Sequence, residues 1–417
     1  MSKTIAAVAT GNSVSGIGVI RISGDNAIEI AEKVFKAMDS TPLSSLKGYT
    51  AKFGNVYSKG EKFDNAIALV FRAPKSYTGE DVVELSVHGG IFIVEKTLEA
   101  VFAAGASPAE AGEFTKRAFL NGKMDLTQAE AVASLISANG QESAKASFNL
   151  LQGSLSDKIS NILDKIVSLS ASMAAWVDYP DEEIPELDES TLKSTLTSAL
   201  NELKNLLDNY ESGMIMTQGV NTVIAGRPNA GKSTLMNMLS GKEKSIVTHI
   251  EGTTRDIVEN SVRLGTLVLH LSDTAGLRES DDVVEAIGIK KALERIDTSS
   301  LVLAVFDSSR ELDGDDKMII DACKGKKAVA VINKTDLSPA IDTEEIENNF
   351  ESSVYISAKN NTGLKELENA VKNILGVEEF DSSAPLIANQ RQKLCIQKAY
   401  ENISEALSAG SRTWLDL

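Results

Sequence analysis

Residues 221–235 read NTVIAGRPNAGKSTL: a β-branched apolar run, then Gly226-Arg-Pro-Asn-Ala-Gly-Lys-Ser233, then a run with helical character. A strand that breaks into a glycine-rich turn and opens a helix lets successive backbone N–H groups wrap phosphate oxygens. In that setting Lys232 supplies a point charge for the β- and γ-phosphates, and Ser233 a hydroxyl for magnesium. Asn229, Ala230, Gly231 and Thr234 complete the phosphate-contacting stretch.

Three more stretches follow at the ends of predicted strands, where open α/β sheets bind their ligands. Asp273-Thr274-Ala275-Gly276 follows the apolar run LVLHLS and offers a carboxylate for magnesium and a glycine N–H for the γ-phosphate. Asn333-Lys334-Thr-Asp336 ends another run, and the Asp336 carboxylate suits the guanine N1–H and N2–H, which selects GTP over ATP. Ser357-Ala358-Lys359 closes the base pocket through a backbone contact to the guanine oxygen. Between the phosphate loop and Asp273, Glu251-Gly252-Thr253-Thr254-Arg255-Asp256 occupies the place of a first switch loop, with Thr254 as a second magnesium ligand.

Water activation needs a different device from the glutamine of Ras-like enzymes, because Leu277 stands at that position. Glu285, in DDVVEAIG, can hold the attacking water through a second one. The Asn229 side-chain oxygen can ligate a monovalent cation, and potassium beside the β- and γ-phosphates would replace an arginine finger. Glu285, Lys232 and Thr254 are therefore the expected catalytic residues.

Around this site NTVIAG, SLVLAVFD, KAVAVIN and SSVYISA read as parallel strands, and VVEAIGIKKALERI, KMIIDACK and LKELENAVKNIL as their covering helices. Upstream, Leu155, Ile159, Ile162, Ile166 and Leu169 recur at helical spacing, as do Leu192, Leu196, Leu200, Leu203 and Leu207. The acidic stretch YPDEEIPELDES between them reads as a loop, with Asp188 or Ser190 capping the next helix. Helical spacing returns from Leu386 to Leu415, so the α/β unit is expected as an insertion in a helical bundle. At the N-terminus IAAVA, GVIRIS, NAIALVF and VVELSV read as strands and Ala27–Met38 and Ile91–Ala104 as helices, giving an α+β domain. The expected divisions are residues 1–122, 123–215, 216–377 and 378–417: α+β domain, first helical part, Ras-like P-loop domain, second helical part.

The 417 residues suffice for two or three packed domains, and 42% hydrophobic content argues against disorder over most of the length. A net charge of −17 excludes a protein that coats nucleic acid by general phosphate neutralisation, so any RNA contact needs a local patch. Cys323 and Cys395 lie far apart with no metal-ligand spacing, which fits a reducing cytosol. No apolar run approaches the ~18 residues of a membrane span, and the expectation is a cytoplasmic protein.

The whole chain resembles the tRNA modification GTPase MnmE (TrmE) family. GRPNAGKST, EGTTRD, DTAGLR and NKTD match its G domain. More distinctive are RISG at Arg21–Gly24, SYTGEDVVELSVHGG at Ser76–Gly90 and GEFTKRAFLNGKMDLTQAEA at Gly112–Ala131. The resemblance implies a folate-binding N-terminal domain that makes a homodimer, a helical domain and an inserted G domain. With an FAD-dependent partner, MnmG, in a heterotetramer-like complex, it implies installation of an aminomethyl or carboxymethylaminomethyl group at C5 of the wobble uridine of certain tRNAs. It places a reduced folate, formyl- or methylene-tetrahydrofolate, on Arg21, Glu84 and Lys123. It places potassium on Asn229, Thr248, the Ile250 carbonyl and Thr253, extends the GTP contacts through Thr248 and His249, and lets Arg255 and Arg278 order the switches. The family's chains end in a Cys-hydrophobic-Gly-Lys motif, whereas this sequence stops at SRTWLDL, so an expectation of impaired modification, intact GTP hydrolysis and a less stable helical domain follows. A different expectation from the same G motifs is a regulatory switch in ribosome assembly, with no folate site. A membrane-transport GTPase is disfavoured by the lack of a spanning segment.

Overall fold

Alternation with a period of two decides which face of the first sheet is buried. The computed structural model describes residues 3–11, 13–138, 140–178, 189–241, 261–271, 293–378 and 380–413. Those up to residue 130 form one compact unit and those from 131 onward a second. In the first unit, β1 (Ile5–Val8), β2 (Ile17–Ser23), β3 (Phe35–Ala37), β4 (Thr50–Ser58), β5 (Glu61–Phe71), β6 (Val82–His88) and β7 (Ser107–Pro108) build a sheet in the order β3-β4-β5-β6-β2-β1-β7. Ile20, Ile22, Val83, Leu85 and Val87 point inward and pack with residues of α1 (Ala27–Val34) and α2 (Ile91–Ala103). Arg21 and Glu84 occupy the alternate positions, directly opposite each other in the antiparallel β2–β6 register. The period that buries the isoleucines therefore delivers this charged pair together to the other face.

The helix expected over Ala27–Met38 stops at Val34. Phe35–Ala37 pairs instead with Gly54–Val56 of β4, a strand that the sequence reading did not identify, and this pairing buries Phe35. Cross-strand hydrogen bonding and burial override the helical continuation there. Helices α3 (Glu113–Leu120) and α4 (Leu126–Ile136) then lead on into the second unit.

That unit opens with α5 (Gln141–Leu151), α6 (Ser154–Asp178), α7 (Glu189–Asp208) and α8 (Tyr210–Gln218). Ser190 lies inside α7 rather than capping it, and Asp188 falls outside the described residues. The chain then builds β8 (Val220–Ala225), α9 (Lys232–Ser240), β9 (Ser261–Leu264), β10 (Leu267–Leu271), β11 (Leu301–Asp307), α10 (Gly314–Cys323), β12 (Ala328–Asn333), α11 (Thr343–Glu347), β13 (Ser352–Tyr355) and α12 (Leu364–Leu375), before α13 (Gln390–Thr413). Leu150, Leu155, Ile162, Leu203 and Leu206 share one apolar core with Ile387, Ala388 and Ile396. The helical layer thus closes after the α/β part, which is inserted within it.

The second sheet runs β13-β12-β11-β8-β10-β9. Its neighbours are parallel except β9, an antiparallel strand absent from the sequence reading, which turns into β10. Both faces are covered, so β11 and β12 are buried throughout. Leu301, Leu303 and Val305 join the core with α9 and α12, while Val302, Ala304 and Phe306 join the one with α10. Burying Phe306 completely stabilises the fold by about 1.5–3 kcal/mol. From β8 the chain moves to β10 on one side and returns to β11 on the other. The crevice at their carboxyl ends is the topological switch point where such sheets hold ligands. Among the described residues no helix is long and apolar enough to cross a membrane.

Candidate functional site

At the end of β8 the backbone must turn back on itself close to the neighbouring strand. A Cβ on Gly226 would lie 2.6 Å from the Val305 carbonyl oxygen, so only glycine fits. Asn229 takes φ +60° and Gly231 φ +97°, and Gly231 caps the N-terminus of α9. That end leaves backbone donors and the positive end of the helix dipole facing the loop. Lys232 Nζ donates to the carbonyls of Gly226 and Arg227, both at 2.7 Å. Burial pushes its pKa down to about 8, so the loop presents a poorly solvated cation suited to a phosphate. Ser233 and Thr234 are exposed at the first turn of the helix.

The base side is built on β12. The buried Asn333 side chain donates through Nδ2 to the Ala230 carbonyl at 3.0 Å and accepts through Oδ1 from the Ala358 N–H at 3.0 Å. One amide thus ties the phosphate loop to the Ser357–Lys359 segment. A Cβ on Gly231 would sit 2.1 Å from Asn333 Nδ2, which makes that glycine part of the same joint. Lys334, at φ +67°, pairs with the buried Asp307 at 2.6 Å. Asp336 is exposed and accepts from Ser357 Oγ at 2.6 Å, and this hydrogen bond holds its carboxyl below the usual carboxylate range. An ionised, hydrogen-bonded carboxylate at the rim of the crevice is an acceptor for paired N–H donors.

The structure therefore brings together Asn229, Ala230, Gly231, Lys232, Ser233 and Thr234 with Asn333, Lys334, Asp336, Ser357, Ala358 and Lys359. Thr248, His249, Ile250, Glu251, Gly252, Thr253, Thr254, Arg255, Asp273, Thr274, Ala275, Gly276, Leu277, Arg278 and Glu285 lie outside the described residues. Sequence reading missed Asp307 and Arg227, whose ion-pair partners, Lys334 and Asp313, are far away in the chain.

In the first unit, Arg21 Nε donates to Glu84 Oε1 at 2.8 Å. The Arg21 guanidinium lies 5.3 Å from the Tyr77 ring centre and 5.5 Å from that of Phe114. Lys123 donates to the Pro74 carbonyl at 3.1 Å, and its Cγ would be 3.4 Å from a Cβ on Gly79. The β5–β6 loop carrying Pro74, Tyr77 and Gly79 thus links Lys123 with Arg21. Beneath it, Arg117 Nη1 reaches both Glu80 oxygens at 3.1 Å, Ser23 Oγ donates to Glu80 Oε2, and Glu113 accepts from Arg117. Tyr77 and Phe114 were not singled out from sequence, although an aromatic within SYTGED and another within GEFTKR were the available signals.

Cys323 is buried, which pushes its thiol up to about 12, and Cys395 is exposed; both are free.

A strand–phosphate loop–helix unit at a switch point, with Asn333 and Asp336 closing the base side, defines a P-loop domain of the GTPase class. The family model described as GTP-binding protein TrmE N-terminus matches residues 4–123, and that described as the MnmE helical domain matches residues 126–417. The chain is 40% identical over 411 residues to the tRNA modification GTPase MnmE of Clostridioides difficile (strain 630), covering 97% of this chain and 89% of that protein. It is also 40% identical over 412 residues to the MnmE of Carboxydothermus hydrogenoformans, with the same coverage. Among solved structures, Era in complex with MgGDPNP and a 16S ribosomal RNA segment is 28% identical, spans 39% of this chain and 58% of that one, and has a TM-score of 0.28. The G domain of the T. maritima FeoB iron transporter is 24% identical, spans 37% of this chain and 98% of that one, and has a TM-score of 0.27. The chain belongs to the tRNA modification GTPase MnmE family.

Proposed function

We propose that the chain binds and hydrolyses GTP and takes part in tRNA modification. The observation that supports the nucleotide reading best is the Asn333 joint, which fixes the phosphate loop relative to the strand end that presents Asp336. Loop N–H groups and the α9 N-terminus receive the phosphates, and Lys232 exchanges its two carbonyl partners for phosphate oxygens. Asp336, held by Ser357, accepts from guanine N1–H and N2–H, a pair of donors that adenine does not offer. The exposed Ser233 hydroxyl at this helix end fits a magnesium ligand, with Thr254 as the second; magnesium bound there would neutralise charge on the transferred phosphoryl group.

The finer reading rests on the family resemblance. Glu285 would orient the water, and Asn229, Thr248, Ile250 and Thr253 would hold potassium, which would supply positive charge beside the β- and γ-phosphates. In the first unit Arg21, Glu84 and Lys123 hold a reduced folate, formyl- or methylene-tetrahydrofolate: the cations suit a glutamyl tail, the carboxylate suits pterin N–H groups, and Tyr77 and Phe114 offer ring faces for stacking. As a homodimer working with the FAD-dependent MnmG, the protein adds an aminomethyl or carboxymethylaminomethyl group at C5 of the wobble uridine of tRNA in the cytoplasm. Its folate, helical and G parts fall at 1–122, 123–215 with 378–417, and 216–377.

The test is steady-state hydrolysis of GTP and of ATP, in potassium and in sodium at equal ionic strength, with Glu285→Ala alongside. Hydrolysis of GTP alone, faster in potassium and abolished by the substitution, is expected. Equal rates in the two salts would overturn the role of Asn229, and equal use of ATP would overturn the guanine reading.

A further inference from the structure

We propose that Arg227 is a positioning residue for the phosphate loop, clamping the loop's first turn to the N-terminus of α10. Arg227 is the second residue of the glycine-rich turn, yet its side chain points away from the loop: it is 7% exposed in a segment whose Asn229, Ser233 and Thr234 are open. Its Nη1 donates to Asp313 Oδ2 at 2.6 Å and lies 3.6 Å from Asp316 Oδ2. These two carboxylates form the capping box of α10: Asp313 accepts from the N–H groups of Asp315 and Asp316, and Asp316 accepts from the N–H of Asp313. Asp316 is 1% exposed, and its Oδ1 has no hydrogen-bond partner among the described residues. A buried carboxylate with an unfilled acceptor depends on its neighbouring cation, so Arg227 and the capping box hold each other in place.

The consequence for the nucleotide runs through the Arg227 carbonyl. It accepts from Lys232 Nζ at 2.7 Å and from the Ala230 N–H at 3.4 Å, so it closes the turn and rests the phosphate-binding lysine at once. Ala230 is in turn held by Asn333 on the other side. The loop is therefore pinned at two points, Arg227 to α10 and Ala230 to β12, and Lys232 is oriented between them before any phosphate arrives. Preorganisation of this kind acts on affinity, since a loose loop must be ordered at the moment of binding. The inference rests on the proposed GTP site.

The test is titration of GDP and GTP, with turnover at saturating GTP, for the full chain and for Arg227→Met, Arg227→Lys, Asp313→Asn and the Arg227→Met/Asp313→Asn double variant. The temperature is held well below each variant's unfolding transition. Arg227→Met is expected to raise Kd for both nucleotides about tenfold while kcat stays within about twofold. Arg227→Lys should recover part of the loss, and the double variant should be no weaker than the weaker single variant, because all three remove one clamp. Unchanged Kd in a folded Arg227→Met protein, or losses that multiply in the double variant, would overturn the clamp. If Arg227→Met does not fold, Asp313→Asn alone decides by the same criterion. Failure of the unsubstituted chain to bind GDP would sink the GTP site itself, a result distinct from failure of the clamp.

Discussion

The phosphate loop and the Arg21–Glu84 face, proposed to hold a folate, contrast two ways of building a candidate site. The loop is made chiefly of backbone: glycines that a Cβ would spoil, a positive φ at Asn229, and N–H groups at a helix end. The Arg21–Glu84 face is made of side chains delivered by strand register, two aromatic rings and a lysine from beyond α3. A backbone site fails when local conformation is changed, even conservatively. A side-chain site tolerates backbone-neutral changes and depends on the buried network beneath it.

The largest expected effect is in that network. Arg117→Met leaves Glu80 and Glu113 without their shared cation in a poorly solvated setting, both Arg117 and Glu80 side chains being 12% exposed. It should destabilise the first unit by about 3 kcal/mol. A thermal scan following the two units separately checks this, with turnover of GTP expected to be unchanged.

Next comes Gly231→Ala, which combines a left-handed φ with a Cβ 2.1 Å from Asn333 Nδ2. GDP affinity should fall roughly fiftyfold, while folate binding stays as it was. A drop in both affinities would mean that the two sites are not separately built.

Arg21→Ala is milder. It removes the partner of Glu84 on a partly buried face, and folate affinity measured by fluorescence titration should drop about tenfold with GDP affinity unaltered.

The smallest effect is in pH. Lys232 has its pKa lowered from 10.5 to about 8 by burial, whereas phosphates favour its charged form. Binding above pH 8 must therefore take up a proton, and GDP affinity should fall severalfold between pH 8 and 9, with proton uptake visible by calorimetry in buffers of different ionisation enthalpy. Stability of the nucleotide-free domain goes the other way. The unfolded lysine holds its proton up to about 10.5, so the unfolded state binds more protons between pH 8 and 10.5 and stability rises across that window.

The same contrast explains what could be read in advance. Gly226-Arg-Pro-Asn-Ala-Gly-Lys-Ser233 was legible because its constraints are local: φ, close approach and helix start all fall within eight consecutive positions. The buried runs LVLAVFD and AVAVIN were legible for the same reason, since a parallel strand covered on both faces leaves a continuous apolar stretch. Arg21, Glu84 and Lys123 are spread over about a hundred residues and have no shared period, so only a family resemblance could gather them. Arg227 looked like one more loop residue, because its meaning comes from Asp313 and Asp316 on a helix far along the chain. The end of helix α1 is not legible in the sequence, because nothing local in FKAM announces its pairing with β4.

The most direct test of the nucleotide site is to exchange its base-reading group. Asp336→Asn keeps size and the Ser357 contact but replaces an acceptor of N–H groups by an amide that can donate to the second carbonyl of xanthine. The chain is expected to prefer GDP to xanthosine diphosphate by at least about a hundredfold, and Asp336→Asn to reverse the order. Unchanged preference for GDP in a folded Asp336→Asn protein would contradict the base-reading role of Asp336.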